Sequence, residues 1–145
     1  MSTTAGARAL GVDLGERRIG LALSDPSRTV ASPHEVLRRT GDPDADRRAI
    51  VAAARAAGAT VIVVGLPLSL SGRIGPAARA ALAEIDALRG VAQGIEVVVH
   101  DERLTTVTAD RALDEGGVGR RQRRDVVDKI AAAVMLQSWL EGTRP

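Results

Sequence analysis

The chain contains no cysteine, no phenylalanine and no tyrosine, and Trp139 is its single tryptophan. Without cysteine there is no disulfide, no thiolate metal site and no cysteine nucleophile, and an intracellular, cytoplasmic address is the simplest expectation. Without a set of aromatic rings, recognition of nucleic acid by base stacking, as in RRM-like or OB-type modules, is disfavoured. Lysine is almost absent as well. Lys129 stands alone among 20 basic residues, the others all arginine, and 18 acids bring the formal net charge to +2. A bilayer helix needs roughly 20 consecutive apolar residues, and runs such as Val61–Val64 and Ile130–Leu136 are far shorter, so no membrane partner is expected.

What is present suits one globular domain. The 145 residues are 45% hydrophobic, enough to close a single sizeable core. Residues 1–7 are small and polar with no apolar stretch and read as a loose tail, not a signal peptide. Residues 142–145 read as a C-terminal tail, leaving 8–141 as the domain.

Residues 8–14 form an apolar strand ending in Asp13-Leu14-Gly15, and 18–24 alternate Ile19, Leu21 and Leu23 against Gly20, Ala22 and Ser24. So short a glycine-containing turn between them predicts an antiparallel hairpin. A third strand over 29–37 carries Pro33, which consigns it to a sheet edge or a break. Residues 43–57, with Asp44 and Asp46 early and Gly58 after them, have the start and stop signals of a helix. Val61–Val64 is β-branched on both faces, as in a central parallel strand. A loop over 65–75, a helix over 76–88, a strand over 95–99, a helix over 105–114 and a last helix from Gln122 or Asp125 to Leu140 complete the order. The expected architecture is α/β, a mixed five-stranded sheet with an antiparallel N-terminal hairpin and helices on both faces.

Acids fall at the ends of these elements. Asp13 closes the first strand, Asp101 and Glu102 close a later one, and Asp128 sits about one turn into the final helix. Strand ends are where open α/β sheets collect ligand chemistry. Carboxylates converging there resist ionising together unless a cation joins them. Oxygen donors without cysteine suit Mg²⁺ or Mn²⁺, and two such ions can activate water and clamp a phosphate. Alternation turns Asp101 and Glu102 to opposite faces, so one of the two is the direct ligand. Each acid also has an ordinary reading: a turn former at Asp13, a partner for a nearby arginine at Glu102, a helix-surface acid at Asp128. His34 and His100 belong to no metal-ligand spacing and read as structural, and Trp139 reads as core. Arg120, Arg121, Arg123 and Arg124 crowd into five positions and form either a phosphate-binding patch or a solvated loop.

Four motifs add to this. Gly11-Val-Asp-Leu-Gly-Glu-Arg-Arg-Ile-Gly-Leu-Ala-Leu-Ser-Asp25, Val63-Val-Gly-Leu-Pro-Leu-Ser-Leu-Ser-Gly-Arg-Ile-Gly-Pro76, Asp101-Glu-Arg-Leu-Thr-Thr106 and Val127-Asp-Lys-Ile-Ala-Ala-Ala-Val-Met-Leu-Gln-Ser-Trp-Leu-Glu141 closely resemble the YqgF/RuvX family of Holliday junction resolvases and pre-16S ribosomal RNA nucleases. The resemblance runs in order over residues 9–141. It implies a ribonuclease H-like fold and a metal-dependent phosphodiesterase with Asp13, Glu102 and Asp128 as catalytic metal ligands, in preference to Asp101. Gly15, Arg17, Arg18, Arg73, Arg103 and the Arg120–Arg124 cluster would then face nucleic acid, either structured RNA or branched DNA. Ribosome-assembly factors are further expected partners, with the chain a monomer or a homodimer. Two positions depart from the family pattern: Ser69 stands where Asn is usual, and Arg121-Gln-Arg-Arg124 replaces a Lys-Arg-Lys run. Arginine's planar fork is not equivalent to lysine's point charge at a phosphate. The Asp-x-Gly hairpin also resembles the phosphate loop of actin-like ATPases and sugar kinases, whose second domain would not fit in 145 residues.

Overall fold

The structure, a computed structural model, describes residues 7–67, 73–101 and 120–143, with side chains in the last segment from Val126 onward. Its strands are β1 (Arg8–Leu14), β2 (Arg18–Ser24), β3 (Ala31–Arg38), β4 (Ala59–Leu66) and β5 (Glu96–Asp101). Its helices are α1 (Pro43–Ala56), α2 (Pro76–Val91) and α3 (Arg120–Gly142). The expected helix over 105–114 lies outside the described residues.

The sheet order is β3-β2-β1-β4-β5. The β1–β2 pair is the anticipated hairpin, antiparallel with Val12 opposite Leu21 and Asp13 opposite Gly20. Gly15 closes it: its amide donates to the Arg18 carbonyl at 2.9 Å, and a Cβ there would lie 2.5 Å from that oxygen. β4 is the central strand, parallel to β1 on one side and to β5 on the other. β3 is the edge strand that Pro33 required, and its register slips where Leu21 pairs Glu35 but Ala22 pairs Pro33. A bulge at a proline-bearing edge discourages further strand addition.

Alternation gives the sheet two buried faces. Leu10, Val12, Ile19, Leu21, Ile62 and Val64 pack against Ile50 and Ala54 of α1 and Ile85 and Leu88 of α2. On the other face Ala9, Ala22, Val61 and Val63 meet Ala132, Met135, Leu136 and Leu140 of α3. Each fully buried leucine or methionine contributes about 1.5–3 kcal/mol. Trp139 packs partly buried at the margin of this second core. Gln137 ties α3 to the start of β3, accepting from the Ala31 amide at 2.8 Å and donating to the Thr29 carbonyl at 3.1 Å.

Several boundaries move. α1 ends at Ala56 and Gly58 follows with φ of 75°, the left-handed turn that glycine accommodates. α2 runs through Gly90 to Val91, because Arg89 reaches across to the Val97 carbonyl and Ala92 still donates back to Leu88. β5 includes Asp101, since Leu66 at the extended end of β4 supplies its ladder partner. Ala7, expected in the loose tail, accepts a hydrogen bond from Arg28 at 2.9 Å. α3 begins at Arg120 and continues to Gly142, so the four clustered arginines lie on its first turns and not in a loop. Asp128 is therefore more than two turns inside the helix, not one.

Two glycines of the sheet lie tight against α3. A Cβ on Gly20 would lie 2.1 Å from the Asp128 carbonyl oxygen, and one on Gly11 would lie 2.9 Å from the Leu136 Cβ. Glycine at these two places lets α3 settle onto β1 and β2. Gly20→Ala is expected to lower stability by about 1–3 kcal/mol or more through overpacking. Gly90→Ala, where the added methyl meets nothing within 4 Å, is expected to raise it by up to about 1 kcal/mol through helix propensity. Urea unfolding of both variants checks the pair; equal effects would mean that the α3 contact is loose.

Candidate active site

Asp13 lies on the α3 face of β1, in line with Ala9 and Gly11 and directly across from Gly20. The Asp128 backbone rests on that same glycine, so the close approach of α3 delivers a second carboxylate beside the first. Burial, and after it the charge of Asp128, push the Asp13 carboxyl up from 3.8 to about 6. Asp128 has a cation of its own: Arg18 Nε donates to Asp128 Oδ2 at 2.6 Å, with 22% and 21% of the two side chains exposed. Gly15, Glu16, Arg17, Arg18 and Asp128 line an open cleft of about 300 Å³ at this point.

Asp101 is not part of this grouping. Val97 and Val99 pack on the α1–α2 side of the sheet, whereas Val98 and His100 face α3, His100 through a 3.0 Å hydrogen bond with the Ser138 hydroxyl. Alternation therefore sends Asp101 to the face away from Asp13 and Asp128. His100 has its pKa lowered by burial and belongs to the packing of α3 on β5, while His34 is exposed on the edge strand. Glu102 and Arg103 lie outside the described residues, as do the side chains of Arg120, Arg121, Arg123 and Arg124.

Among the arginines expected to face a substrate, Arg17 is exposed at the hairpin tip and Arg18 turns inward to Asp128. Arg73 is exposed just before α2, and it does not line this cleft. Gly15 spends its amide on the hairpin, so its contribution to the cleft is the missing side chain.

Three features were not anticipated. Gly11 and Gly20 set the distance between helix and sheet; their signal was the run of small residues, Ala9, Gly11, Gly20, Ala22 and Ser24, that alternation puts on one face. Arg39 braces the hairpin from below. Its Nε donates to the Gly15 carbonyl at 2.7 Å, its amide to the Arg17 carbonyl at 2.9 Å, and its guanidinium forks onto Glu84 of α2 at 2.7 and 3.0 Å. Such bidentate pairs fix geometry as well as charge. No sequence pattern links Arg39 to Glu84, which meet only once the layers stack.

Two adjacent carboxylates with no cysteine or histidine between them form a hard, anionic donor pair that fits a divalent cation such as Mg²⁺ or Mn²⁺. Among the described residues no group of three His, Cys, Asp or Glu side chains gathers, so these supply two of the donors such an ion needs.

A mixed five-stranded sheet in this order, with helices on both faces, is the ribonuclease H-like fold. Two structures of Thermus thermophilus RuvC share it. The one in complex with a Holliday junction substrate has a TM-score of 0.53 at 15% identity, covering 89% of this chain and 91% of that one. The other has a TM-score of 0.52 at 12% identity, with 92% and 96% covered. The chain belongs to the RuvX family: residues 7–142 match the family described as "RuvX: Holliday junction resolvase". Relatives named "Putative pre-16S rRNA nuclease" include one from Desulforudis audaxviator, 44% identical with 94% of this chain and 96% of the relative covered. Another, from Kineococcus radiotolerans, is 48% identical with 93% and 72% covered.

The shifted Asp13 makes a stability prediction. Its folded pKa lies above its unfolded value, so the fold binds this proton more tightly. The stability it contributes is complete below about pH 4 and is lost as pH rises to about 6, by roughly 2–3 kcal/mol at about 1.4 kcal/mol per pKa unit. Asp13→Asn is thus expected to be more stable than the parent at pH 7.5 in EDTA by about that amount, with the difference vanishing near pH 4. Urea titrations at the two pH values check it; an equal difference at both would remove Asp13 as a buried acid.

Proposed function

We propose that this chain is a metal-dependent nuclease that hydrolyses phosphodiester bonds in structured RNA, processing the 5′ end of pre-16S ribosomal RNA in the cytoplasm during ribosome biogenesis. The observation that carries the reading is the pairing of Asp13 with Asp128, residues far apart in the chain, at a cleft of a ribonuclease H-like sheet. Membership of the RuvX family and the names of the relatives supply the substrate.

Asp13, Asp128 and Glu102 hold Mg²⁺ or Mn²⁺ in this reading, as two ions. Glu102 is chosen over Asp101 because the resemblance to the family points to Glu102, and Asp101 belongs to the face away from Asp13 and Asp128. A metal bound there would supply activation of water and neutralisation of charge on the scissile phosphate. The protein's own residues do the rest. Burial of Asp13 withholds water that would otherwise solvate the carboxylate, which favours its use as an ion ligand. Arg18 holds the Asp128 carboxylate in one orientation, and Gly15 closes the hairpin that brings Arg18 to it. The arginines at 120, 121, 123 and 124 begin α3 with no acid in its first turn, putting like charge at the positive end of the helix dipole. Phosphates are the natural counter-charge there. Arg73 and Arg103 complete the expected contacts.

Among the described residues no helix is long and apolar enough to cross a membrane. The family description and the RuvC likeness favour one second reading, cleavage of a four-way DNA junction. A two-fold junction would ask for a homodimer with paired sites, whereas an RNA end needs only a monomer. A non-catalytic ribosome-assembly binder is the remaining outcome.

The purified protein, supplied with Mg²⁺ or Mn²⁺, is to be tested on a pre-16S fragment and on a four-way DNA junction. Asp13→Asn and Asp128→Asn are each expected to slow cleavage by about 100-fold or more, the scale of losing electrostatic stabilisation of a transition state. Binding of either variant should stay near that of the parent. Preferential cleavage of the junction would transfer the reading to a resolvase, and wild-type cleavage by both variants would refute the assignment of the acids.

A further inference from the structure

The backbone of Asp128 is fixed by its seat on Gly20, but its carboxylate takes its direction from Arg18 Nε, 2.6 Å away. Arg18 is the first residue of β2 and emerges directly from the hairpin turn. The turn end of a hairpin is where a ladder opens at least cost unless something ties it down. The orientation of Asp128 therefore depends on what holds residues 15–18 in place.

Arg39, just beyond the end of β3, holds them. The Gly15 amide closes the turn on the Arg18 carbonyl at 2.9 Å, and the Gly15 carbonyl accepts from Arg39 Nε at 2.7 Å. The Arg39 amide donates to the Arg17 carbonyl at 2.9 Å. The same guanidinium forks onto both Glu84 oxygens, at 2.7 and 3.0 Å, with 19% and 28% of the two side chains exposed. The next residue is pinned as well: buried Asp46 of α1 accepts the Thr40 amide at 3.0 Å and hydroxyl at 2.8 Å. Glu84 belongs to α2, which packs on the sheet face away from α3 and Asp128. One line of polar contacts thus runs from α2, through Arg39 and the turn, to an acid on the opposite layer. A planar guanidinium can serve a carbonyl and a carboxylate at once, which the point charge of an ammonium does not.

We propose that Arg39 is a positioning residue for the acidic centre: braced on Glu84, it fixes the 15–18 turn and thereby holds Arg18 on the Asp128 carboxylate. Its contribution to cleavage rests on the nuclease reading, whereas its hold on Arg18 does not. A misplacement of about 1 Å at a reacting centre can cost about 100-fold in rate, so a brace outside the cleft has leverage on the chemistry.

The test reads Arg18 directly and then cleavage, on the full chain. In the first arm, hydrogen exchange of the arginine Nε–H signals is followed by NMR in EDTA, the Arg18 signal being assigned by its loss in Arg18→Gln. Arg39→Gln is expected to speed exchange at Arg18 about 10-fold, and Arg39→Lys to do the same although it keeps the charge. Glu84→Gln, which leaves one acceptor for the fork, should fall between these and the parent. Arg89→Gln removes an arginine from α2 that bonds Asp86 and the Val97 carbonyl, and it should match the parent. In the second arm, with Mg²⁺ and a pre-16S fragment or a four-way DNA junction, Arg39→Gln is expected to lower kcat about 10-fold with KM changed by less than about 2-fold. Placed on top of Arg18→Gln, the same substitution should cost less than about a further 2-fold, because the two residues act through one contact. A merely structural arginine would give additive losses instead. Unchanged Arg18 exchange in folded Arg39→Gln, parental exchange in Arg39→Lys, or a full additional 10-fold loss in the double variant would each overturn the proposal. If Arg39→Gln does not fold, Glu84→Gln gives the same readings alone and in the Arg18→Gln background. Absence of cleavage by the parent would refute the nuclease reading, and the exchange arm would still decide the role of Arg39.

Discussion

The Asp128 carbonyl of α3 rests on β2 at Gly20, where any side chain would occupy the same space. Much of the molecule depends on that contact. Because Gly20 is directly opposite Asp13, this tight contact is also the place where the two acids meet. The packing that buries Ala132, Met135, Leu136 and Leu140 thus sets the spacing of the charged groups. Structure and chemistry are coupled through one missing methyl.

The second constraint is electrostatic. Two carboxylates pressed together in a partly buried place are unfavourable, and the fold answers in two ways. Asp13 keeps its proton to a higher pH, and Asp128 takes Arg18 as a partner. Groups held at this cost persist where a ligand uses them, and a divalent cation fits the donors present. The stiffness around the pair comes from elsewhere: Arg39 carries the hairpin on α2 through Glu84, and Gln137 fastens the edge strand to α3. Neither residue touches the acids, yet both limit how far the cleft can deform.

Charge is distributed unevenly about this centre. The near-neutral total of +2 conceals arginines gathered along the hairpin tip, the end of β3 and the start of α3. At the hairpin, Arg17 and Arg18 line the same cleft as Glu16 and Asp128. Such a pattern suits a polyanion that must be held at its flanks while one phosphate approaches carboxylates, which repel it until a cation intervenes.

Periodicity and punctuation made the architecture legible in the sequence: the alternation of Ile19, Leu21 and Leu23, the β-branched run at Val61–Val64, Pro33 at an edge and Gly58 after a helix all have local causes and were found where expected. Asp13 and Asp128 stood out at element ends for the same reason, whereas alternation said only that one of Asp101 and Glu102 could be a direct ligand, and the choice of Glu102 came from the family resemblance. Helix lengths were less legible, because α2 is extended by the contact of Arg89 with Val97, which no local pattern encodes. Only the tertiary structure decided that Arg18 faces Asp128, that Arg38 stands beside it, and that Arg39 meets Glu84. Those pairings join strands to helices across layers, and they follow from sheet register and from how near a helix can come, a distance that Gly11 and Gly20 set but that cannot be measured along the chain.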